Sequence, residues 1–231
     1  MQGNKLFVLE GTDGSGKRTQ ADLLVNRLKA QGRPVQAITF PRYNNPSSLA
    51  VRRYLNGDFG PATAIDPRIA STFYALDRHC AAREEVIPWL EAGQIVVTDR
   101  YAESNMGHQG SKIADLTERA ALIEWLEEFE YGDPPNGLGI PRPDLVILLY
   151  MSPHIGQELV GKKESRPYLE AGKTHDEHES DLGHLQRAAD TYLWLADRYK
   201  WPIIECAPGG NLLSPEQTHE LVWSCVQQRL E

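Results

Sequence analysis

The stretch "VLEGTDGSGKRTQ", residues 8–20, decides the fold. An apolar run, KLFVLE at 5–10, leads straight into Gly11-x-x-x-x-Gly16-Lys17, and a helical pattern opens at Arg18. Strand, glycine-rich turn, lysine and helix in that order form a phosphate-binding loop. Its glycines let backbone N–H groups turn inward around phosphate oxygens, the helix N-terminus adds a fixed positive field, and Lys17 reaches the β and γ phosphates. The candidate ATP cradle is therefore Gly11, Thr12, Asp13, Gly14, Ser15, Gly16, Lys17, Arg18 and Thr19. Arg18 stands where such loops usually offer a Ser or Thr hydroxyl to Mg²⁺, and Thr19 comes one residue late. Arg18 then has two readings, as a positive charge on the phosphates or as a solvated side chain. Asp13 puts a carboxylate inside an anion cradle, which is favourable only beside a cation, a basic group or a sugar hydroxyl.

Outward from this loop, strand-like and helix-like segments alternate along the chain. PVQAITF (34–40), QIVVTDRY (94–101), PDLVILLYM (143–151) and WPIIECA (201–207) read as further strands. The segments between them carry helical periodicity, including one long helix over 66–93 bent near Pro88 and a last helix capped by Ser214 with Pro215 in its first turn. The alternation implies an α/β fold of three layers, α/β/α, with a five-stranded parallel sheet covered on both faces. A polar stretch of low hydrophobicity over about 161–178 interrupts the pattern and reads as a mobile lid within a single domain spanning 1–231.

The 231 residues suit one domain with a sizeable core, and the formal net charge of −8 gives no general attraction for nucleic acid or anionic membranes. Three scattered cysteines, Cys80, Cys206 and Cys225, fit free thiols in a reducing cytoplasm. The N-terminus turns polar too early for a signal peptide, and no apolar run nears the ~20 residues that span a bilayer. His175, His178 and Glu179 in "HDEHE" lack a third ligand at zincin spacing, since residue 182 is leucine.

A second constellation gathers at strand ends. In open α/β sheets ligands bind at the C-terminal edge of the strands. Asp99 and Arg100 end IVVTDRY there; Asp99 can hold Mg²⁺ directly or through water, and the planar fork of Arg100 can bridge two phosphates. Arg42 and Tyr43 in "FPRY" offer a cation and a hydroxyl at the same edge. Tyr74 and Arg78 stand four apart on one helical face, either as a stacking plane and donor for a nucleobase or as a core aromatic beside a surface arginine.

"EGTDGSGKRTQ", "FPRY", "FYALDR", "TDRYAESN" and "PRPDLVILL" together resemble the thymidylate kinases, P-loop NTPases of the nucleoside monophosphate kinase superfamily, from about residue 5 to the DTYLWLAD helix. The resemblance implies transfer of the γ-phosphoryl of ATP to dTMP with Mg²⁺, a cytoplasmic homodimer, and no nucleic-acid or membrane partner. It implies Lys17, Asp99, Arg100 and a lid cation as the catalytic set, with Arg166 favoured beside Lys162 and Lys163. Gly14 stands where one group of the family has its essential arginine, which shifts the weight to these lid cations. It implies a dTMP site of Asp13, Phe40, Arg42, Tyr43, Tyr74, Arg78, Arg100, Ser104, Asn105 and His108. The last of these stands where some relatives have a tyrosine near the sugar 2′ position. Asp13 is a further candidate metal ligand.

Two other readings compete. A kinase on the same fold could take dUMP, dCMP or an unphosphorylated nucleoside, although Arg42 and Tyr43 favour a phosphorylated acceptor. A P-loop switch or regulatory ATPase is the alternative of a different class. A GTPase would need an Asn-Lys-x-Asp motif after a late strand, and the sole Asn-Lys pair is Asn4-Lys5.

Overall fold

A computed structural model of the chain describes residues 5–160 and 182–230. In chain order the elements are β1 (Leu6–Gly11), α1 (Lys17–Ala30), β2 (Val35–Thr39), α2 (Leu49–Leu55), α3 (Pro67–Ala81), α4 (Ile87–Glu91), β3 (Ile95–Asp99), α5 (Ala102–Gly110), α6 (Leu116–Tyr131), β4 (Leu145–Tyr150), α7 (Pro153–Val160), α8 (Leu182–Tyr199), β5 (Ile203–Glu205) and α9 (Pro215–Leu230).

The strands form one five-stranded sheet in the order β2-β3-β1-β4-β5, with every pairing parallel. Side chains alternate across it. Phe7 and Leu9 of β1 and Ile147 and Leu149 of β4 face α1 (Leu24, Leu28) and α9 (Val222, Val226). Leu6, Val8, Val96 and Val146 face the other way, toward α5 and α6 (Met106, Leu122, Leu126) and Leu195 of α8. Both faces are apolar because both are covered, which is why these strands read as continuous runs rather than alternating ones. Each such fully buried side chain contributes roughly 1.5–3 kcal/mol.

Local chemistry sets the helix ends. Asp66 accepts from the N–H groups of Arg68 and Ile69 ahead of α3, and Asp115 does the same for Thr117 and Glu118 at α6. Ser214 and Gln217 cap α9 reciprocally: Ser214 Oγ accepts from Gln217 N–H, and Gln217 Oε1 accepts from Ser214 N–H.

Two departures from the sequence reading bear on the site. The long helix over 66–93 carries a π-helical turn at Ala82–Val86, just ahead of Pro88, which the sequence pattern did not show. A proline ring crowds the carbonyl four residues back, and a wider turn just before it relieves that crowding. Residues 102–110 form a helix, α5, which the sequence reading did not single out. Its glycines explain both the miss and the outcome. A Cβ on Gly107 would meet the Tyr192 ring at 2.5 Å, so glycine there lets α5 lie directly against α8. Among the described residues no helix is long and apolar enough to cross a membrane.

Candidate active site

The loop between β1 and α1 is built on close backbone approach. Gly11 has φ 155°, and a Cβ there would lie 2.1 Å from the carbonyl oxygen of Leu149 on β4. Gly14 has φ 81°, and a Cβ there would fall 2.7 Å from Cα of Gly156 on α7. A side chain at Gly14 would therefore run into the α7 backbone. Thr12 Oγ1 donates to the Met151 carbonyl at 2.8 Å and accepts from its N–H at 3.0 Å, tying the loop to the end of β4.

Lys17 is buried and folds back over the loop, its Nζ donating at 2.9 Å to the carbonyls of Gly11 and Thr12. Burial, and then the neighbouring Arg100 guanidinium, bring its pKa down to about 8. This ammonium is thus held by weak carbonyl partners that a nucleotide phosphate would replace with full negative charge. Arg18 and Thr19 are exposed, and Arg18 Nε pairs with Asp22 of its own helix at 3.3 Å. That geometry agrees with the solvated reading of Arg18, although its side chain also borders a cleft of about 600 Å³ shared with Thr39, Arg42, Tyr43, Glu85 and Asp99.

The next strand delivers the second half of the site. Arg100 follows β3 with φ 68°, an uncommon conformation for a non-glycine residue and one often kept for function. Its N–H bonds to the Leu9 carbonyl of β1, and its own carbonyl accepts from Thr98 Oγ1 at 2.6 Å. Its side chain crosses to the phosphate loop, where Nη2 donates to Asp13 Oδ1 at 2.6 Å. Nη1 lies 3.1 Å from His108 Nε2 on α5. Asp13 therefore has the basic partner that its position demanded. Burial works against the charge of Arg100, but Asp13 and other anionic neighbours outweigh it and raise the pKa well above the usual value. Asp99 lies alongside, with Oδ1 buried and without a hydrogen-bond partner and Oδ2 3.4 Å from Thr39 Oγ1.

Around this centre the remaining expected residues divide. Arg42 is held by Asp77, Glu84, Glu85 and Ser47. Tyr43 stands at the same cleft, and its carbonyl accepts from Arg52. Phe40 is buried against Tyr101, with ring centroids 5.7 Å apart. Tyr74 meets Tyr54 edge to face at 6.1 Å, in the small cluster between α2 and α3. Arg78 is fully buried, with Nε and Nη2 bound to Glu130 at 2.5 and 2.6 Å. Its charge is held by Glu130 against the cost of burial. Asn105 donates to the same carboxylate at 2.8 Å, and Ser104 donates to Glu10. Lys162, Lys163 and Arg166, with the "HDEHE" residues, lie outside the described residues.

Sequence reasoning missed the carboxylates that organise these cations. Glu10, buried on β1, accepts from Tyr101 N–H, Ser104 Oγ and Tyr192 Oη. Burial pushes its pKa up, with Arg100 the largest opposing influence. Asp77 and Glu130 hold Arg42 and Arg78. Asp77 had a signal, since it sits inside "ALDR" next to Arg78; Glu130 had none, because its partner is 52 residues away.

No cluster of three or more His, Cys, Asp or Glu among the described residues could hold a metal ion by itself. Mg²⁺ keeps several waters and takes one or two carboxylates together with substrate phosphates. The unpartnered Oδ1 of Asp99 is a fitting acceptor for such a hydrated ion.

The chain is matched over residues 9–209 by the family model described as thymidylate kinase. It is 34% identical over 230 residues to the thymidylate kinase of Bifidobacterium longum strain NCC 2705, covering 99% of this chain and 98% of the relative. It is 31% identical over 193 residues to the thymidylate kinase of Mycobacterium tuberculosis, covering 83% and 85%. The solved structure of the thymidylate kinase from Candida albicans superposes with a TM-score of 0.73 at 18% identity, over 99% of this chain and 94% of that one, and supports the fold. By the extent and agreement of these matches, the chain belongs to the thymidylate kinase family.

Proposed function

We propose that the cluster of Lys17, Asp13, Arg100 and Asp99 is where this thymidylate kinase moves the γ-phosphoryl of ATP to the phosphate of dTMP, giving dTDP and ADP. The observation that carries the assignment is the reach of Arg100 from the end of β3 to Asp13 in the phosphate loop, 2.6 Å away. A guanidinium held there sits at the ATP cradle, and its chain neighbour Asp99 lines the cleft that also holds Arg42 and Tyr43.

Phosphoryl transfer needs little covalent help; positioning and charge neutralisation supply most of the rate. Lys17 exchanges its carbonyl partners for the β and γ phosphates, and the loop N–H groups hold their oxygens. Arg100 keeps donor and acceptor phosphates together against their repulsion. Bound with ATP, Mg²⁺ supplies further neutralisation of the phosphate oxygens, and Asp99 would hold it through water. Arg42 and Tyr43 take the dTMP phosphate; Asp13 and His108 stand on its sugar side; Phe40, Tyr74, Arg78, Ser104 and Asn105 form or support the base pocket. The 161–178 segment is the lid of a single kinase domain, with Arg166 its candidate cation. The working unit is a homodimer, a reading supported by the exposed Ile69 and Leu76 on α3.

Arg100→Ala should lower kcat by roughly 10²–10³-fold while the fold survives, as for other preorganised charge stabilisers. A coupled ADP assay with dTMP, dUMP, dCMP and thymidine as acceptors tests the rest. Full activity of Arg100→Ala would remove this residue from the mechanism, and turnover of ATP without any acceptor would favour a regulatory ATPase.

A further inference from the structure

Arg100 is aimed by two groups, and only one of them belongs to the phosphate loop. Asp13 takes Nη2; the other terminal nitrogen, Nη1, meets Nε2 of His108 at 3.1 Å. A guanidinium carries only donors and keeps its proton at any ordinary pH, so Nε2 of His108 must be the acceptor. The imidazole is then neutral, with its proton on Nδ1. The ring is fixed in place by α8: it stacks on His184, with centroids 6.0 Å apart and planes 23° apart, and meets Tyr192 edge to face at 5.7 Å. Tyr192 in turn donates to Glu10, so the support runs back into β1.

We propose that His108, as a neutral hydrogen-bond acceptor, is a positioning residue for Arg100, and that its protonation releases the catalytic guanidinium and slows phosphoryl transfer. The proposal rests on the assignment of Arg100 above and adds a role for His108 beyond its place beside the sugar. A proton on Nε2 turns the acceptor into a donor facing another donor and sets two positive charges at hydrogen-bond distance. Charged and titratable groups around this pair include Glu10 of β1, Asp13 and Lys17 of the phosphate loop, Asp99 beside Arg100, and His184 and Tyr192 of α8. The carboxylates favour a charged imidazole, whereas Arg100 and Lys17 oppose it.

The test compares kcat across about pH 5.5–8.5, the range where imidazoles titrate, for wild type, His108→Gln, His108→Phe and each change on an Arg100→Ala background. The glutamine carbonyl can still accept from Nη1 but does not titrate. The ratio of His108→Gln to wild-type kcat should rise as pH falls. His108→Phe should lose about 10–100-fold in kcat at the alkaline end, a scale set by misplacement of a reacting group, and the gap to wild type should narrow as pH falls. Its KM for ATP should move less than about twofold, and it should cost nothing further once Arg100 is alanine. A pH-independent ratio for the glutamine variant overturns the proposal. So does wild-type kcat in the phenylalanine variant at the alkaline end, a loss confined to KM for dTMP, or a loss that persists on the Arg100→Ala background. Failure of the underlying site assignment looks different: Arg100→Ala itself then keeps wild-type kcat.

Discussion

All five N–H donors of Arg42 already point at protein acceptors: Nε at Asp77, Nη1 at Glu84 and Glu85, Nη2 at Ser47 Oγ and the Asp77 carbonyl. A phosphate can reach this arginine only by displacing one of them. Asp77 is fully buried and also accepts the Arg42 N–H at 2.7 Å, so it is the anchor; Glu84 and Glu85 are the exposed, exchangeable partners. Glu85→Gln should therefore lower KM for dTMP by about two- to fivefold, the scale of one partly exposed ion pair, with kcat little changed. An unchanged KM in initial-rate assays would show that Arg42 does not meet the dTMP phosphate. Arg42 was legible in the sequence through its place after a strand; that Asp77, Glu84 and Glu85 would hold it was not. They come from a helix and a π-helical turn about 35–43 residues further on, a pairing that no local pattern encodes.

At the scale of elements, α7 and the phosphate loop approach as bare backbone. A Cβ on Gly156 would lie 2.3 Å from the Asp13 carbonyl oxygen, and one on Gly14 2.6 Å from the Gly156 carbonyl oxygen. The loop that orients Asp13 is thus set by the helix leading toward the 161–178 segment. Gly156→Ala must push one against the other. It should cost about 1–3 kcal/mol in stability and lower kcat by about 10–100-fold, since small misplacements of reacting groups are expensive. Wild-type kcat in that variant would show that the loop tolerates the shift. Strands and amphipathic helices were readable because buried strands are continuous apolar runs and covered helices carry a 3.6-residue stripe. The helix α5 was not, because AESNMGHQG has two glycines and little apolar periodicity. It folds by tertiary packing, with Gly107 under Tyr192 and Gly110 against Ile123 and Thr191. The element hardest to read is the one that carries Ser104, Asn105 and His108, so the partners of these residues were equally hidden.

For the whole molecule, two features away from the phosphates make predictions. Ile69 and Leu76, 55% and 51% exposed, stand seven residues apart on the outer side of α3, whose inner side carries Asp77 and Arg78. An isologous dimer would cover this stripe with its own copy, so Ile69→Asp with Leu76→Asp should yield monomers in sedimentation experiments; an unchanged mass would move the interface elsewhere. The second feature lies in the core. Glu10, Glu103 and Glu130, on β1, α5 and α6, are all buried behind the site. Glu130 is paired with Arg78, whereas Glu103 has no cation beside it: it accepts from the Tyr131 hydroxyl at 2.5 Å, and its Oε2 is buried without a hydrogen-bond partner. Burial, together with the nearby carboxylates of Glu10 and Glu130, brings its pKa up to about 8 from an ordinary 4.5. The folded chain then holds a proton that the unfolded chain has released, so this group's contribution is full below about pH 4.5 and is lost as pH rises through about 8. Glu103→Gln keeps the shape and the acceptor for Tyr131 but cannot ionise. Its melting temperature relative to wild type should climb steadily from pH 5 to pH 7, a window in which the lysines lowered to about 8, Lys17 and Lys112, stay largely charged and contribute little slope. A difference that stays constant over that window would mean that Glu103 is ionised throughout, and that the three carboxylates share the charge of Arg78 and Arg100 more evenly than their separate contacts imply.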